Sequence, residues 1–569
     1  IQRPFVWSAT KVRNLIDSLY KGYPIGYLIT WQSPNVKLKD GSLSQGKIIL
    51  IDGQQRIIAL KTAILGEEII DKNYQKRRIK IAFNPIIEKF EVCNPAIEKD
   101  KTWISDISPI VKNEIDLLSF LDDYCEKNPN FDRSLLLKII SQLQAIDKRQ
   151  VGIIELSGEL DIDIVAEIFE RINSEGVTLS QADFVMSRIA ANEKYQGSTL
   201  RKAIDYFCHL AKESSFYEQI KSFDNEFTKS EYFQKMAWLK KEIDDLYDPD
   251  YKDVIRTVFT FEFKRGKLAD LVSLLIGRSF ETKSYEEKII EETFTRFKNG
   301  FFNYINETNF KRFIMILKSA GFIANWMIRS KITINFTYAL FLYLRANNFK
   351  SEDIERIVRK WLVISLLTER YIGSSETRID QDIRLIERKG VVEYLKEIEE
   401  GELSESFWSN VLVRKLESPI STIPAFNLFL AAQVKDQDRG FLSTDIKVSN
   451  LIDIKGDLHH IFPKDYLKKN GFQKNLYNQV ANYVYMQQEL NIKIGNQSPK
   501  EYMRIIKKQI EDKKTYLSNY KNIVDLQKNL EENCIPDLIF EGDFKNYEEF
   551  LSQRRRLMAQ RLKEYYFAL

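Results

Sequence analysis

The spacing of apolar residues predicts that this chain is mostly helical. From about residue 200 to residue 445, apolar positions recur every three or four residues, as in residues 354–367, and few glycines or prolines interrupt them. Such periodicity places the apolar side chains on one face of each helix, where neighbouring helices can cover them. We therefore expect a helical scaffold in the middle of the chain. The most apolar run, residues 332–344, is closed off by charged residues and is too short to span a bilayer, so it predicts a buried core helix.

A different pattern marks the N-terminal region. The apolar, β-branched run 47–51 ends at Asp52-Gly53 and leads into a helical pattern from Gln54, which predicts a strand, a tight turn and a helix. Such a junction directs backbone N–H groups at whatever lies above the helix start, and Arg56 adds a planar set of donors suited to phosphate. A nucleotide or a DNA phosphate could bind there. The alternative is an ordinary Asp-Gly turn with a capping aspartate and Arg56 on a solvated helix face.

Helix-capping residues lie on both sides of this junction. Ser8 has the position of an N-cap, because apolar residues follow it at helical spacing, at Val12, Leu15, Ile16 and Leu19. Further along, residues 164–172 have helical periodicity, and residues 180–183 predict a capping box for the next helix. Capping explains these polar residues, so Arg171 and Asn173 are candidate site residues only by association.

Composition and charge restrict the class of protein without deciding its function. The chain has 569 residues, of which 44% are hydrophobic and 29% charged, which is typical of a folded protein with several domains. A net charge of +4 is too small to indicate nucleic-acid binding, so any basic surface must be local. The sequence begins with Ile1 and shows no charged-then-apolar leader, so no export signal is visible.

The cysteines favour a reducing compartment. They are scattered without a Cys-x-x-Cys pair, which argues against a zinc ribbon and against a disulfide framework. The four are Cys93, Cys125, Cys208 and Cys534. We therefore expect a cytoplasmic protein.

Histidines provide the best indication of chemistry. The chain has only three, and two of them, His459 and His460, are adjacent and precede a segment that contains Asn482 and Asn491. A neutral imidazole can take a proton from water near pH 7 or ligate a divalent metal, and an asparagine carbonyl supplies a hard oxygen ligand. These are the parts of a metal-dependent phosphodiester hydrolase. The third, His209, lies in a helical pattern without a second ligand nearby, so we assign it to packing or to the surface.

The histidine pair lies in a predicted strand–strand–helix order. Residues 457–462 predict a short strand whose end presents the two histidines in opposite directions, so that one can face a metal and the other a water. Residues 482–486 predict a second strand, and residues 491–493 open a short helix, which gives a ββα order. The alternative is a core histidine pair followed by turn asparagines.

The C-terminal residues suggest a further contact with DNA. Residues 545–569 contain six basic and three acidic residues, including Arg554-Arg555-Arg556. An amphipathic helix of this charge could follow a DNA backbone. The alternative is a solvated face of the final helix.

Both ends of the chain resemble one family, the GmrSD-type, modification-dependent (type IV) restriction endonucleases with their single-chain BrxU-like and SspE-like relatives. Residues 2–7 (QRPFVW), 51–56 (IDGQQR) and 169–183 are similar to the N-terminal GmrS-type module, which has a ParB- or sulfiredoxin-like fold and binds or hydrolyses nucleoside triphosphates. Residues 459–463 (HHIFP), with the two later asparagines, are similar to the GmrD-type nuclease module of the HNH, or His-Me finger, superfamily.

The resemblance implies roles for individual nuclease residues. His460 would be the general base, and His459 would take the place where many HNH enzymes have a metal-binding aspartate. Asn491 would be the companion metal ligand, Asn482 would brace the loop that carries the base, and Lys493 could contact the scissile phosphate. Magnesium or manganese suits such a site, while the imidazole leaves zinc and nickel open.

The resemblance also implies a nucleotide site in the N-terminal module. Its residues would be Asp52, Gly53, Gln54, Gln55 and Arg56, with Gln2 and Arg3 close by. The nucleoside triphosphate, whether GTP, ATP or another, stays open.

Taken together, these patterns predict a mixed α+β, mostly helical chain of three domains. Residues 1–205 would form a GmrS-type nucleotide-binding sensor, residues 206–430 a helical scaffold, and residues 431–569 a GmrD-type HNH (ββα-metal) nuclease domain. The expected function is a nucleotide-regulated, metal-dependent DNA endonuclease that restricts modified phage DNA without any membrane association. Double-strand cutting with one nuclease site per chain would favour a homodimer.

Two alternative functions stay open at this point. One is a phosphorothioate-sensing NTPase and nicking enzyme of SspE type. The other is a nucleotide-dependent interaction protein without nuclease activity.

Overall fold

The structure, a computed structural model, describes residues 5, 7–32, 48–71, 76–157, 160, 164, 168, 180–241, 246–282, 284–454 and 456–569. The chain divides into two compact units, Ile1–Ser187 and Arg188–Leu569. Helices predominate and the strands form small sheets, which confirms the predicted mixed, mostly helical class. The three-domain division at residues 205 and 430 stays a prediction.

The first unit combines short helices with small sheets. Its helices are α1 (Ala9–Tyr20), α2 (Gln54–Leu60), α3 (Pro95–Lys99), α4 (Ser108–Val111), α5 (Leu117–Lys127) and α6 (Arg133–Gln144). Its strands are β1 (Leu28–Gln32), β2 (Ile48–Asp52), β3 (Ile69–Ile70), β4 (Lys76–Arg77), β5 (Ile81–Asn84), β6 (Lys89–Val92) and β7 (Ile153–Leu156). Strand β1 lies between β2, to which it is antiparallel, and β7, to which it is parallel. The pairs β3–β4 and β5–β6 are antiparallel.

Helix α1 has the start and the buried face that its sequence predicts. The Ser8 side chain accepts a hydrogen bond from the Lys11 backbone N–H at 3.3 Å, as an N-cap does. The four apolar residues at helical spacing are all buried in the core of the unit. The N-cap prediction is therefore confirmed.

One half of the predicted capping box at residues 180–183 is observed. The Asp183 carboxylate accepts hydrogen bonds from the Ser180 backbone N–H at 2.9 Å and from its hydroxyl at 2.8 Å. Helix α7 (Gln181–Ala191) follows. Of the predicted helix 164–172, Ile164 and Ile168 are described and are helical, and the other residues lie outside the described part of the chain.

The second unit is almost entirely helical. Its helices up to residue 402 are α8 (Gly197–Leu210), α9 (Phe216–Phe223), α10 (Glu231–Lys235), α11 (Tyr251–Phe263), α12 (Leu268–Leu275), α13 (Glu287–Tyr304), α14 (Glu307–Ser319), α15 (Lys331–Ala346), α16 (Ser351–Leu367), α17 (Ser375–Lys389) and α18 (Val391–Glu402). They are followed by α19 (Leu412–Lys415), α20 (Pro424–Lys435), α21 (Val448–Asp453), α22 (Lys464–Lys469), α23 (Lys474–Tyr477), α24 (Gln488–Ile494), α25 (Pro499–Asp512), α26 (Ile523–Glu532) and α27 (Tyr547–Phe567). Strands β8 (Leu458–His460) and β9 (Tyr483–Tyr485) pair antiparallel.

Single helical turns of 3-10 or π type join several of these elements. The π turns are Lys61–Leu65 and Phe407–Val411. The 3-10 turns are Ala145–Lys148, Glu193–Tyr195, Phe227–Lys229, Ala237–Lys240, Asn325–Met327, Val480–Asn482, Asp537–Glu541 and Phe544–Asn546.

The predicted core helix and the packing role of the third histidine are both confirmed. Helix α15 contains the run 332–344 and is buried along most of its length, with its polar Asn335 donating to the Asp253 carboxylate at 2.9 Å. The His209 ring is buried and stacks on the Phe216 ring with centroids 3.6 Å apart. Among the described residues, no helix has both the length and the apolar character needed to cross a bilayer.

A buried carboxylate at the junction of α20 and α27 gives the second unit a testable pH dependence. Burial raises the pKa of Asp438 to about 7, against the opposing effect of Arg561, which donates to it at 2.8 Å. The folded state therefore binds a proton that the unfolded state has lost above about pH 4, so this group's contribution to stability is lost as pH rises from about 4 to 7. The free energy of unfolding of Asp438→Asn should fall less between pH 5 and pH 8 than that of the parent, by on the order of 1 kcal/mol, in urea titrations. An unchanged pH dependence in the variant would show that Asp438 ionises as it does in the unfolded chain.

Candidate active site

Two short strands carry the adjacent histidines. In the β8–β9 pair, His459 lies opposite Val484 and His460 lies opposite Tyr483. The two predicted strands therefore form, although each is shorter than the pattern suggested. Neighbouring residues of a strand point to opposite faces, so the two imidazoles face different surroundings.

The helix that follows begins earlier than the sequence suggested. Helix α24 begins at Gln488, and Asn491 lies in its second turn, where its backbone N–H donates to the Gln487 carbonyl at 3.1 Å. The prediction that Asn491 opens the helix was wrong, because Gln487 precedes the helix with no side-chain cap that a sequence pattern could reveal. The strand–strand–helix order itself is present.

His460 is held by an asparagine that the sequence interpretation did not single out. The His460 Nε2 atom lies 3.0 Å from Oδ1 of Asn478. When this oxygen accepts the hydrogen bond, Nε2 carries the ring proton and Nδ1 keeps the lone pair that a base needs. The ring also packs edge-to-face against Tyr483, with centroids 5.1 Å apart. The orientation of this imidazole is therefore fixed on two sides.

Burial makes both histidines poor proton acceptors from bulk solution. It lowers the pKa of His460, and the nearby positive charge of Lys464 acts in the same direction, whereas the hydrogen bond to Asn478 opposes it. Burial likewise lowers the pKa of His459, while the carboxylate of Asp457 raises it. Both rings are therefore neutral at pH 7 and have a free nitrogen lone pair.

Asn482 makes the contacts that a brace requires. Its side chain is fully buried, Oδ1 accepts from the Phe462 backbone N–H at 2.9 Å, and Nδ2 donates to the Phe462 carbonyl at 3.2 Å. Nδ2 also donates to the Tyr477 carbonyl at 3.1 Å. This one amide joins the chain just after His460 to the chain just before Asn478.

A fully buried arginine of the last helix holds the backbone of the hairpin by hydrogen bonds. Arg554 of α27 donates to the carbonyls of Ala481 at 2.8 Å, Tyr483 at 2.9 Å and Asn533 at 3.1 Å. Burial lowers the pKa of its guanidinium to about 10. The first two carbonyls belong to the residues on either side of Asn482, so Arg554 holds the backbone that positions the brace.

This arrangement corrects the prediction for the arginine run of the last helix. Arg554 is fully buried and cannot follow a DNA backbone. Arg555 is mostly buried and lies 3.6 Å from Glu417, and only Arg556 of the three is exposed. The run is therefore largely structural, which sequence alone does not reveal because both roles use the same residue.

The proposed metal ligands are all at least partly accessible to solvent. His459 is half-buried, Asp457 is exposed two residues before it, and Asn491 is partly buried, while Lys493 is exposed on α24. In the part of the chain that the structure describes, no three His, Cys, Asp or Glu side chains cluster, and no hydrogen bond joins Asn491 or Lys493 to either histidine. An imidazole, an amide oxygen and a nearby carboxylate nevertheless fit a hard cation that keeps several water ligands, such as magnesium or manganese.

The predicted strand–turn–helix junction in the first unit is confirmed. Strand β2 ends at Asp52, Gly53 has a left-handed φ of +98°, and α2 begins at Gln54. A Cβ on Gly53 would collide with the Leu28 side chain, so both the φ and the close approach require glycine.

The side chains of this junction are largely engaged with the protein. Arg56 donates to the Asp52 carboxylate at 3.1 Å and to the Tyr27 carbonyl, and its side chain is only 20% exposed, so it does not lie on a solvated helix face. Gln55 is buried and Gln54 is half-buried. Nucleotide binding at this junction stays a prediction.

Four residues with predicted or associated roles lie outside the described residues. They are Gln2, Arg3, Arg171 and Asn173.

Comparison with known proteins identifies the N-terminal domain. Residues 1–190 match the N-terminal domain of the GmrSD restriction endonucleases. These residues, about the first third of the chain, are a GmrSD-type N-terminal domain. The chain is also similar to an uncharacterized protein of Methanocaldococcus jannaschii, at 23% identity over an alignment of 634 residues that covers 99% of this chain and 95% of that protein. The domain match points to a restriction endonuclease, a class of nuclease that acts on DNA.

Two residues near the candidate site, Asp457 and Asn478, had no assigned role in the sequence interpretation, and Arg554 was assigned to DNA rather than to support of the hairpin. Asn478 lies among several asparagines, and only its distance from His460 singles it out. Asp457 lies two positions before His459, and strand periodicity could have placed both on one face. Nothing in the pattern of the arginine run marks its first member as buried.

Proposed function

We propose that this GmrSD-type chain is a cytoplasmic, nucleotide-regulated DNA endonuclease that requires a divalent metal and restricts modified phage DNA. One observation supports the proposal most. A half-buried, neutral imidazole, His460, is oriented by Asn478 on a hairpin that Asn482 braces. The family membership of the N-terminal domain supplies the substrate class.

The proposed reaction uses His460 as the general base. Its Nδ1 takes a proton from a water molecule, the water oxygen attacks the phosphorus of a phosphodiester, and the bond from phosphorus to the leaving oxygen breaks. Asn478 keeps the proton on Nε2, so that the lone pair stays on Nδ1. Lys493, exposed on α24, is the proposed contact to the scissile phosphate.

The proposed metal site is His459 and Asn491, with Asp457 nearby. A divalent cation bound there would stabilise the negative charge on the leaving oxygen. Because these residues supply only a few donors, the site would leave coordination positions for water and for phosphate oxygens.

The proposed nucleotide site is the junction from Asp52 to Arg56. Its support is the GmrSD-type domain and the glycine that brings the backbone close to its surroundings at the start of α2. The ion pair between Arg56 and Asp52 lies at this junction, so nucleotide phosphate would compete for the guanidinium. Competition of this kind is a direct way to couple nucleotide binding to the position of α2.

The test is cleavage of phage DNA that carries glucosylated hydroxymethylcytosine, beside unmodified DNA, with magnesium or manganese and with or without nucleoside triphosphate. We expect metal-dependent cleavage of the modified DNA that nucleotide alters, and a weakened nucleotide response in Asp52→Asn. Nucleotide turnover stimulated by phosphorothioate DNA, with no preference for the modified base, would instead indicate a nicking enzyme of SspE type. Nucleotide binding with no cleavage under any metal would indicate an interaction protein.

A further inference from the structure

Four exposed lysines follow the histidine pair within a few residues. Residues 464–474 contain one acidic residue, Asp465, and four lysines, here called the lysine platform: Lys464, Lys468, Lys469 and Lys474. This stretch therefore carries a net charge of +3 in a chain whose total is +4. Such a concentration in eleven residues marks the segment as a local basic surface, although the whole chain is nearly neutral.

The segment that carries the platform is anchored to the protein. Leu467 is fully buried, and the Tyr466 hydroxyl accepts a hydrogen bond from the Phe544 backbone N–H at 3.1 Å. The Phe472 ring packs edge-to-face on Tyr547 of α27, with centroids 5.3 Å apart. The apolar side of α22 and the following loop thus faces inward, and the four lysines are exposed on a fixed support.

The platform charges are mostly uncompensated. Lys468 lies 3.7 Å from Asp465, and both side chains are about half exposed, so this pair is weak. Among the described residues, no carboxylate lies within ion-pair distance of Lys464, Lys469 or Lys474. A surface with several uncompensated ammonium groups attracts an anion that can contact more than one of them at the same time.

The platform lies close to the proposed base. Lys468 Nζ is 5.9 Å from the centre of the Tyr477 ring, which is in turn 6.4 Å from the centre of the His460 ring. Lys468 is therefore within about 12 Å of His460. Successive nucleotides of one strand rise by about 3.4 Å along the helix axis, so Lys468 lies at most about four nucleotides from His460 along that axis.

We propose that the lysine platform binds the phosphate backbone of the DNA on one side of the cleavage position, within about four nucleotides of the scissile phosphate. This inference rests on the proposed nuclease function and adds the surface that holds its substrate. Ammonium groups contact phosphates as point charges without regard to base sequence. The platform would therefore contribute affinity and strand register, whereas recognition of a modified base must come from other residues.

The test measures binding rather than cleavage. The full-length parent and a variant with all four platform lysines changed to glutamine would be titrated with a short DNA duplex in EDTA, with and without the modified base, between about 50 and 200 mM salt. We expect the variant to bind about tenfold more weakly or worse, and its plot of log affinity against log salt to be less steep by about 3–4, since each lost phosphate contact contributes about 0.9. Glutamine keeps the helix propensity of lysine, so folding should be preserved.

A matched control removes the same charge elsewhere in the second unit. Four exposed helical lysines, each with an acidic neighbour three or four residues away, would be changed to glutamine: Lys221, Lys288, Lys311 and Lys396. This control should keep the parent's affinity and salt dependence.

The proposal is overturned if the platform variant binds DNA like the parent, if the control variant loses as much affinity as the platform variant, if the parent binds no DNA, or if the platform lysines bind an RNA duplex in preference to DNA. Because no cleavage is measured, absence of nuclease activity in the parent would contradict the proposed function without deciding the platform.

Discussion

Full-length protein that carries His460→Ala should cleave DNA at least about 100-fold more slowly than the parent while remaining folded and able to bind DNA. General-base catalysis by a positioned side chain typically contributes about 10²–10⁴ in rate, and alanine offers no proton acceptor. The fold should tolerate the change, because the half-buried ring makes one side-chain hydrogen bond, to Asn478, worth about 1 kcal/mol. The measurement is the single-turnover cleavage rate at saturating enzyme, which separates the chemical step from binding.

The matched control for this prediction is His209→Ala. It also removes a buried imidazole, but one that stacks on Phe216 in α9, among the helices of the second unit. We expect it to lower stability and to leave the cleavage rate of the folded protein unchanged. A His460→Ala rate within a few-fold of the parent's would place the base elsewhere and would return the histidine pair to a packing role.

The helices were the part of the fold that the sequence predicted best. Helices α1, α15 and α16 formed where apolar spacing placed them. A helix in a globular protein is stabilised mainly by burial of one face, and the spacing of apolar residues in the sequence indicates which face is buried. The Asp52-Gly53 turn was equally predictable. Gly53 has a left-handed φ and its backbone lies against the Leu28 side chain, and few residues besides glycine fit both conditions.

The boundaries and partners of the candidate site were harder to predict. Helix α24 begins without a capping side chain, so the sequence did not indicate its start. The helix was therefore predicted to begin at Asn491, three residues after its actual start at Gln488. The partner of His460 had to be chosen among several asparagines, and only the approach of distant chain segments brings Asn478 within 3.0 Å of the ring. Local patterns record propensity, whereas side-chain partners depend on packing between segments.

Arg554 shows the same limit most clearly. Three consecutive arginines on a helix are typical of a solvated face, and an isolated buried cation is costly. Here the cost is offset by carbonyl acceptors of Ala481, Tyr483 and Asn533, which no sequence pattern places around this guanidinium. The arginine therefore links the last helix to the backbone that positions Asn482.

Replacing this residue, as Arg554→Met, should destabilise the second unit by about 3 kcal/mol or more, because methionine fills similar volume but leaves buried carbonyls unpaired at about 1–3 kcal/mol each. Removal of a buried charge acts in the opposite direction, but it is the smaller effect here, since the guanidinium already has several hydrogen bonds in the folded state. Urea unfolding would measure the loss, and faster hydrogen exchange of the β8 and β9 amides would locate it. The control is Arg556→Met, which removes an exposed arginine two residues along the same helix and should change stability by less than about 0.5 kcal/mol. If both variants unfold alike, the carbonyl contacts of Arg554 contribute nothing net, and the hairpin owes its position to its other contacts, including those of Asn482.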